Sequence, residues 1–189
     1  RSLRNVMRGH SKLERISLQH MQLSASTTRI LSQGLKANKR ARSSLPLKLV
    51  LQELELRDSD EEEVDAVACL AEGLAENKTV GSLELRSVPL SDRRLASIIT
   101  SLVGHPTLLE LLIYDGNVEE TYPQFHVALQ KLLAFPSCKL LDLDLSDQDH
   151  FFDFANDSGL AWLVRGLRQT HSLTSLDFSD NPFDQCNLR

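Results

Sequence analysis

A short apolar motif returns at a nearly constant spacing along this chain, and this repetition limits the folds that the chain can adopt. Six segments follow the pattern Leu-x-x-Leu-x-Leu, with Val, Ile or Phe replacing some of the leucines. The middle apolar residues are Ile16, Leu54, Leu83, Leu111, Leu143 and Leu176, which are 38, 29, 28, 32 and 33 residues apart. Leucine supplies 36 of the 189 residues and aromatic residues only 5%, so one aliphatic side chain dominates the predicted core.

Helical periodicity fills the stretches between these segments. In the second unit the apolar stripe consists of Val64, Val67, Ala68, Leu70, Ala71 and Leu74. Each unit is therefore predicted to be a strand of three to five residues followed by a helix. Cys69 lies within the stripe and is expected to be buried. Pro46 places residues 43–50 in a loop insertion, which accounts for the long first spacing.

The spacing of 28 to 29 residues and phrases such as LAEGLAENKTVGSLEL resemble leucine-rich repeats of the ribonuclease-inhibitor type. The resemblance covers nearly the whole chain. It implies an α/β fold in which residues 1–189 form a single leucine-rich repeat domain of about six repeats. The implied shape is a curved solenoid, or horseshoe, with parallel strands on the concave face and helices on the convex face. An apolar pattern already under way at Leu3 and a new unit near Phe183 predict truncation at both ends.

This family places an asparagine three residues past each strand, and the chain departs from that pattern. Only Asn181 fits, whereas the other five positions carry Met21, Ser59, Val88, Gly116 and Gln148. The departure argues against a regular asparagine ladder but not against the fold.

Side chains alternate between the two faces of a strand, so the pattern also predicts which residues face away from the core. Seven of the 18 outward positions are acidic and three are arginines. They are Arg15, Ser17, Gln19, Glu53, Glu55, Arg57, Ser82, Glu84, Arg86, Glu110, Leu112, Tyr114, Asp142, Asp144, Ser146, Ser175, Asp177 and Ser179. We expect Glu55 to lie beside Glu84 and Asp144 beside Asp177, so that like charges meet on adjacent strands.

An acidic surface of this kind predicts a protein–protein interaction scaffold whose concave face binds a partner with a basic surface. Leu112 and Tyr114 are the only large apolar and aromatic residues among the outward positions, and they are candidate interface anchors. The predicted partner-binding residues are Glu53, Glu55, Arg57, Glu84, Arg86, Glu110, Leu112, Tyr114, Asp142, Asp144 and Asp177. The alternative is that exposed strand positions are polar for solubility alone.

The sequence contains no pattern that predicts catalysis or cofactor binding. The acidic run from Asp142 to Asp149 lacks the glycine and the polar spacing of a calcium loop, because Leu143 and Leu145 are predicted core residues. His105 precedes a strand and is interpreted as a repeat-junction residue, and no phosphate-binding glycine-rich loop occurs. We therefore expect no enzyme activity, no metal and no cofactor.

Charge and cysteine content restrict the expected partners and compartment. The net charge is −5, although residues 1–42 hold ten basic residues and one acid. No aromatic residue accompanies the basic run from Lys36 to Arg42, so nucleic acid is not an expected partner. No apolar stretch is long enough to span a membrane. Three cysteines without metal-site spacing fit an intracellular, cytoplasmic protein, and the oligomeric state is left open.

The resemblance also leaves other functions open. Nucleotide-binding leucine-rich-repeat receptors use such repeats as their sensor portion, and Ran GTPase-activating proteins, which regulate a small GTPase, use the same repeat type. No residue here matches a motif for that activity. A structural spacer between domains is the third alternative.

Overall fold

The computed structural model describes residues 5, 13–38, 45–58, 65–116, 123–148 and 158–181. Within these residues, six strands alternate with five helices. In chain order they are β1 (Arg15–Ser24), α1 (Ala25–Ala37), β2 (Leu47–Arg57), α2 (Ala66–Glu76), β3 (Val80–Arg86), α3 (Asp92–Ser101), β4 (Glu110–Tyr114), α4 (Pro123–Ala134), β5 (Asp142–Asp144), α5 (Ser158–Leu167) and β6 (Ser175–Asp177). The predicted truncation depends on Leu3 and Phe183, which lie outside the described residues.

The strands form one sheet in chain order, and every neighbouring pair is parallel. The prediction of an α/β fold with a parallel sheet is therefore confirmed. Strands β1, β2 and β3 run for 10, 11 and 7 residues, longer than the three to five predicted. No helix in the described ranges is long and apolar enough to cross a membrane.

The core lies between the sheet and a layer of helices in which each helix packs against the next one along the chain. Equivalent leucines of successive strands are fully buried there, namely Leu49, Leu83, Leu111 and Leu143. Gly73 on α2 permits close helix packing, because a Cβ at that position would lie 2.7 Å from the Cα of Ser32 on α1. Cys69 is only partly buried. The prediction for Cys69 is wrong because its side chain lies beside the buried stripe of α2.

The register of β2 differs from the prediction by five residues. Leu49, not Leu54, pairs with Ile16 of β1 and with Leu83 of β3. The strand therefore begins at Leu47, inside the segment that the sequence assigned to a loop insertion. The corrected spacings of the repeat are 33, 34, 28, 32 and 33 residues.

The backbone turns sharply at the same point of every unit, which independently supports this register. One residue with positive φ, between 46° and 57°, follows the paired part of each strand: His20, Glu53, Ser87, Asp115, Asp147 and Asp180. The next residue occupies the position at which the resemblance to leucine-rich repeats predicts asparagine. In the second unit this residue is Leu54, which is buried, and not Ser59, which lies outside the described residues.

Two amides at that position form a short ladder between the last units. The Asn181 side-chain NH₂ donates to the carbonyl of Leu145 (2.8 Å), and its oxygen accepts the main-chain N–H of Gln148 (3.2 Å). The Gln148 side chain donates to the carbonyl of Ile113 (3.0 Å). Gly116 leaves room for this amide, because a Cβ there would lie 2.5 Å from Gln148 Oε1. The ladder is therefore confined to the end of the described chain.

Buried polar side chains also join units where a helix returns to the next strand. Asn77 Nδ2 donates to the carbonyl of Leu35 (2.6 Å), and Asn77 Oδ1 accepts the N–H groups of Thr79 and Val80 (2.7 Å each). His105 takes the equivalent place one unit later, which confirms its interpretation as a junction residue. Burial lowers the pKa of His105, and His105 Nδ1 accepts the main-chain N–H of Thr107 (3.5 Å).

A carboxylate from one unit holds the helix of the next unit at its N-terminus. Asp92, the first residue of α3, is 5% exposed, and its two oxygens accept the N–H groups of Gln124 (3.0 Å) and Phe125 (2.8 Å) at the start of α4. Within the second unit, Asp58, which directly follows β2, accepts the N–H of Ala66 (3.0 Å) at the start of α2. These bonds satisfy N–H groups that have no partner within the helix itself.

Candidate protein-binding face of the sheet

The sheet surface opposite the helices, which we call the outward face, carries three rows of side chains. The first row is Arg15, Lys48, Ser82, Glu110, Asp142 and Ser175. The middle row is Ser17, Val50, Glu84, Leu112, Asp144 and Asp177, and the third includes Gln19, Gln52, Arg86 and Tyr114. Adjacent strands are about 4.8 Å apart, so neighbours within a row are close enough to interact.

Eight of the eleven predicted binding residues lie on these rows, and three do not. The eight are Glu84, Arg86, Glu110, Leu112, Tyr114, Asp142, Asp144 and Asp177. The exceptions, Glu53, Glu55 and Arg57, lie past the bend in the second half of β2, where the strand pairs only with the end of β1.

The expected contact between Glu55 and Glu84 is therefore wrong. Val50, which is fully buried, is the β2 neighbour of Glu84. Glu55 instead accepts a hydrogen bond from the guanidinium of Arg57 (3.0 Å), and Glu53 lies 2.7 Å from His20 Nδ1. The cause is the shifted register, which also brings Lys48 onto the outward face, where the sequence pattern had not placed it.

Glu84, at the centre of the face, is held by two partners. Lys48 Nζ lies 2.9 Å from Glu84 Oε2, and the Tyr114 hydroxyl donates to Glu84 Oε1 (2.5 Å). Burial opposes ionisation of Glu84, but the bond from Tyr114 and the charge of Lys48 outweigh it and lower the pKa of Glu84. Burial, and then the bond to Glu84, raise the pKa of Tyr114 to about 12. The Arg86 guanidinium lies 5.4 Å from the Tyr114 ring centre.

Four carboxylates on β4, β5 and β6, which we call the acidic half, are Glu110, Asp142, Asp144 and Asp177. They form two adjacent pairs, Glu110 with Asp142 and Asp144 with Asp177, and the second pair was predicted. Among the described residues, no cation lies within ion-pairing distance of any of the four.

Main-chain bonds orient two members of the acidic half. Asp144 Oδ1 accepts the N–H of Ser146 (2.9 Å), and Asp177 Oδ1 accepts the N–H of Ser179 (2.8 Å). The main-chain N–H and the hydroxyl of Ser179 lower the pKa of Asp177. These carboxylates are therefore fixed in position, and Asp177 is ionised at neutral pH.

The other side of the outward face is basic. Arg15, Lys48 and Arg86 lie on β1, β2 and β3, which we call the basic half, with Glu84 as the sole carboxylate on its three rows. The register therefore corrects the predicted picture of one continuous acidic ladder. The face is divided, with opposite net charge at its two ends.

The described residues offer little to a small ligand or a metal ion. No group of three or more His, Cys, Asp or Glu side chains in the described ranges is arranged to hold a metal ion. A cleft at the ends of β3 and β4, lined by Leu85, Leu95, Ile113 and Gln148, encloses about 10 Å³, room for about one water molecule.

Comparison of the sequence with protein-family models and with curated proteins finds no match.

Proposed function

We propose that this protein is a protein–protein interaction scaffold that binds a partner with a basic surface through its outward face. The acidic half is the observation that carries the proposal, because its four carboxylates have no cationic neighbour among the described residues. Like charges facing each other on adjacent strands each cost some tenths of a kcal/mol. A partner that presents Lys or Arg would relieve that repulsion.

The shape we propose for the scaffold is a leucine-rich repeat solenoid with the outward face on its concave side. Helices pack about 8–10 Å apart, whereas strands in a sheet are about 4.8 Å apart. One helix per strand, stacked in chain order, therefore makes the helix layer longer than the sheet. A solenoid that bends with the sheet on the inside of the curve accommodates this difference in length between the two layers.

Electrostatics would act mainly on the rate of association. The acidic half attracts a basic partner over a distance of about one Debye length, roughly 8–10 Å at physiological salt. Attraction of this kind raises association rates and weakens as salt is added. Cys69 and Cys138 are free thiols, which supports the proposal of a reducing, intracellular and cytoplasmic setting.

The test is capture of a partner from lysate, followed by binding kinetics with the purified partner. The variant Glu110→Lys/Asp144→Lys reverses one charge in each acidic pair. The control, Glu72→Lys/Glu76→Lys, makes the same charge change on α2, where both carboxylates are exposed and form ion pairs with Lys36; circular dichroism checks that it folds. We expect the first variant to slow association at least about tenfold at low salt and the control to leave it nearly unchanged. Equal binding by both variants would move the site away from the sheet.

A further inference from the structure

We infer that the outward face binds a second copy of this chain, face to face and with the strand order reversed. The inference rests on the proposed function and names the partner. Its basis is the division of the face into a basic half on β1–β3 and an acidic half on β4–β6. A surface with both charges at separate ends is complementary to itself when one copy is turned around.

Charge selects one of the two simple symmetric arrangements. A twofold axis parallel to the strands places β1 of one copy opposite β6 of the other and β2 opposite β5. Lys48 then lies opposite Asp142 of the second copy, with Arg15 next to the same acidic half. A twofold axis across the strands would instead place the acidic halves opposite each other, and like-charge contacts of that kind oppose association.

The middle of the face is compatible with the first arrangement. Strand β3 then lies opposite β4 of the second copy, so Arg86 and Tyr114 of the two copies face each other, and these residues already form a cation–π contact within one chain at 5.4 Å. The bond to Glu84 holds the Tyr114 ring in place. If the sheet is concave, as proposed above, the strands towards its two ends meet first, and there Arg15 and Lys48 face the acidic half of the second copy.

Charge-reversal variants test the arrangement by complementation. Arg15→Glu/Lys48→Glu makes the basic half acidic, and Glu110→Lys/Asp142→Lys/Asp177→Lys makes the acidic half basic, since only one of its four carboxylates remains. Arg93→Glu/Lys131→Glu is the control, because both residues are exposed on helices. Lys48 also forms an ion pair with Glu84. The single variant Arg15→Glu is therefore tested as well, because it reverses a charge of the basic half without breaking that pair. Circular dichroism checks that each variant folds.

Sedimentation equilibrium on the full chain measures self-association at about 0.05 M and about 0.5 M salt. We expect wild type and control to dimerise at low salt and to dissociate at high salt. Each half-reversed variant alone should dimerise at least about tenfold more weakly, and an equimolar mixture of the two should recover a dimer, because the reversed halves match each other.

A wild-type chain that stays monomeric at low salt, or a mixture that stays monomeric, would overturn the inference. The proposed function can be separated from it. If the wild type is monomeric but Glu110→Lys/Asp144→Lys no longer binds a basic partner from lysate, the proposed scaffold function is supported. A second copy is then excluded as the partner. If the mixture dimerises and no other protein depends on the acidic half, the second copy is the partner.

Discussion

Replacing Asp92 by alanine should destabilise the protein through the junction between two units. The carboxylate is 5% exposed and accepts one N–H from Gln124 and one from Phe125, 32 and 33 residues away. The Phe125 N–H is buried and would lose its partner, at a cost of about 1–3 kcal/mol. Gln124 is exposed, so water can replace the second bond at a net cost of about 0.5–1.5 kcal/mol. Together these give about 1.5–4.5 kcal/mol.

The assay is urea unfolding followed by circular dichroism, with hydrogen exchange to locate the change. We expect the amides at the start of α4 to lose protection in Asp92→Ala. Arg93→Ala, one residue further along α3 but exposed, should change the free energy of unfolding by less than about 0.5 kcal/mol. If Asp92→Ala also changes the free energy of unfolding by less than about 0.5 kcal/mol, the Asp92 carboxylate does not stabilise the start of α4.

Three further predictions concern packing and ionisation. Leu83→Ala should lower the free energy of unfolding by about 2–5 kcal/mol, because Leu83 is fully buried. Leu176 occupies the equivalent position of β6 but is 40% exposed, so Leu176→Ala should lower it markedly less. Equal losses of stability in urea unfolding would contradict this. Burial lowers the pKa of His105 below 6.5, so the unfolded chain binds the proton more readily, and stability should be full above pH 6.5 and fall as the pH drops towards the folded-state pKa. His105→Asn, which introduces the residue type found at the preceding junction, should flatten that part of the stability curve, and an unchanged slope would remove His105 as its cause. Glu84→Gln should lower the pKa of Tyr114 from about 12, seen by ultraviolet titration in a background with the other tyrosine replaced by phenylalanine; no shift would mean that burial alone sets it.

The sequence by itself determined the repeating strand–helix unit and the parallel sheet. The parallel sheet follows from the resemblance to leucine-rich repeats, in which such units stack on one another. The unit follows from local spacing, because a leucine series with period two indicates a strand and a stripe with helical period indicates a helix. Eight of the eleven predicted binding residues lie on the outward face for the same reason. Alternation on a strand fixes the side of the sheet once the strand is located.

Only the tertiary structure decided the register of β2 and hence the charge of the face. The segment LKLVLQELELR holds two leucine series, and both are buried. Local spacing cannot choose between them, since either one buries leucines against a helix. Pairing with β1 and β3 makes the choice, brings Lys48 to the outward face and moves Glu55 off it.

The polar contacts between units could not be predicted from the sequence either. Asp92 bonds residues 32 and 33 positions away, and Asn77 bonds the carbonyl of Leu35. No local sequence pattern predicts these hydrogen-bond partners, because they are main-chain groups that every residue carries. Which of them lies within reach is set by the stacking of one unit on the next.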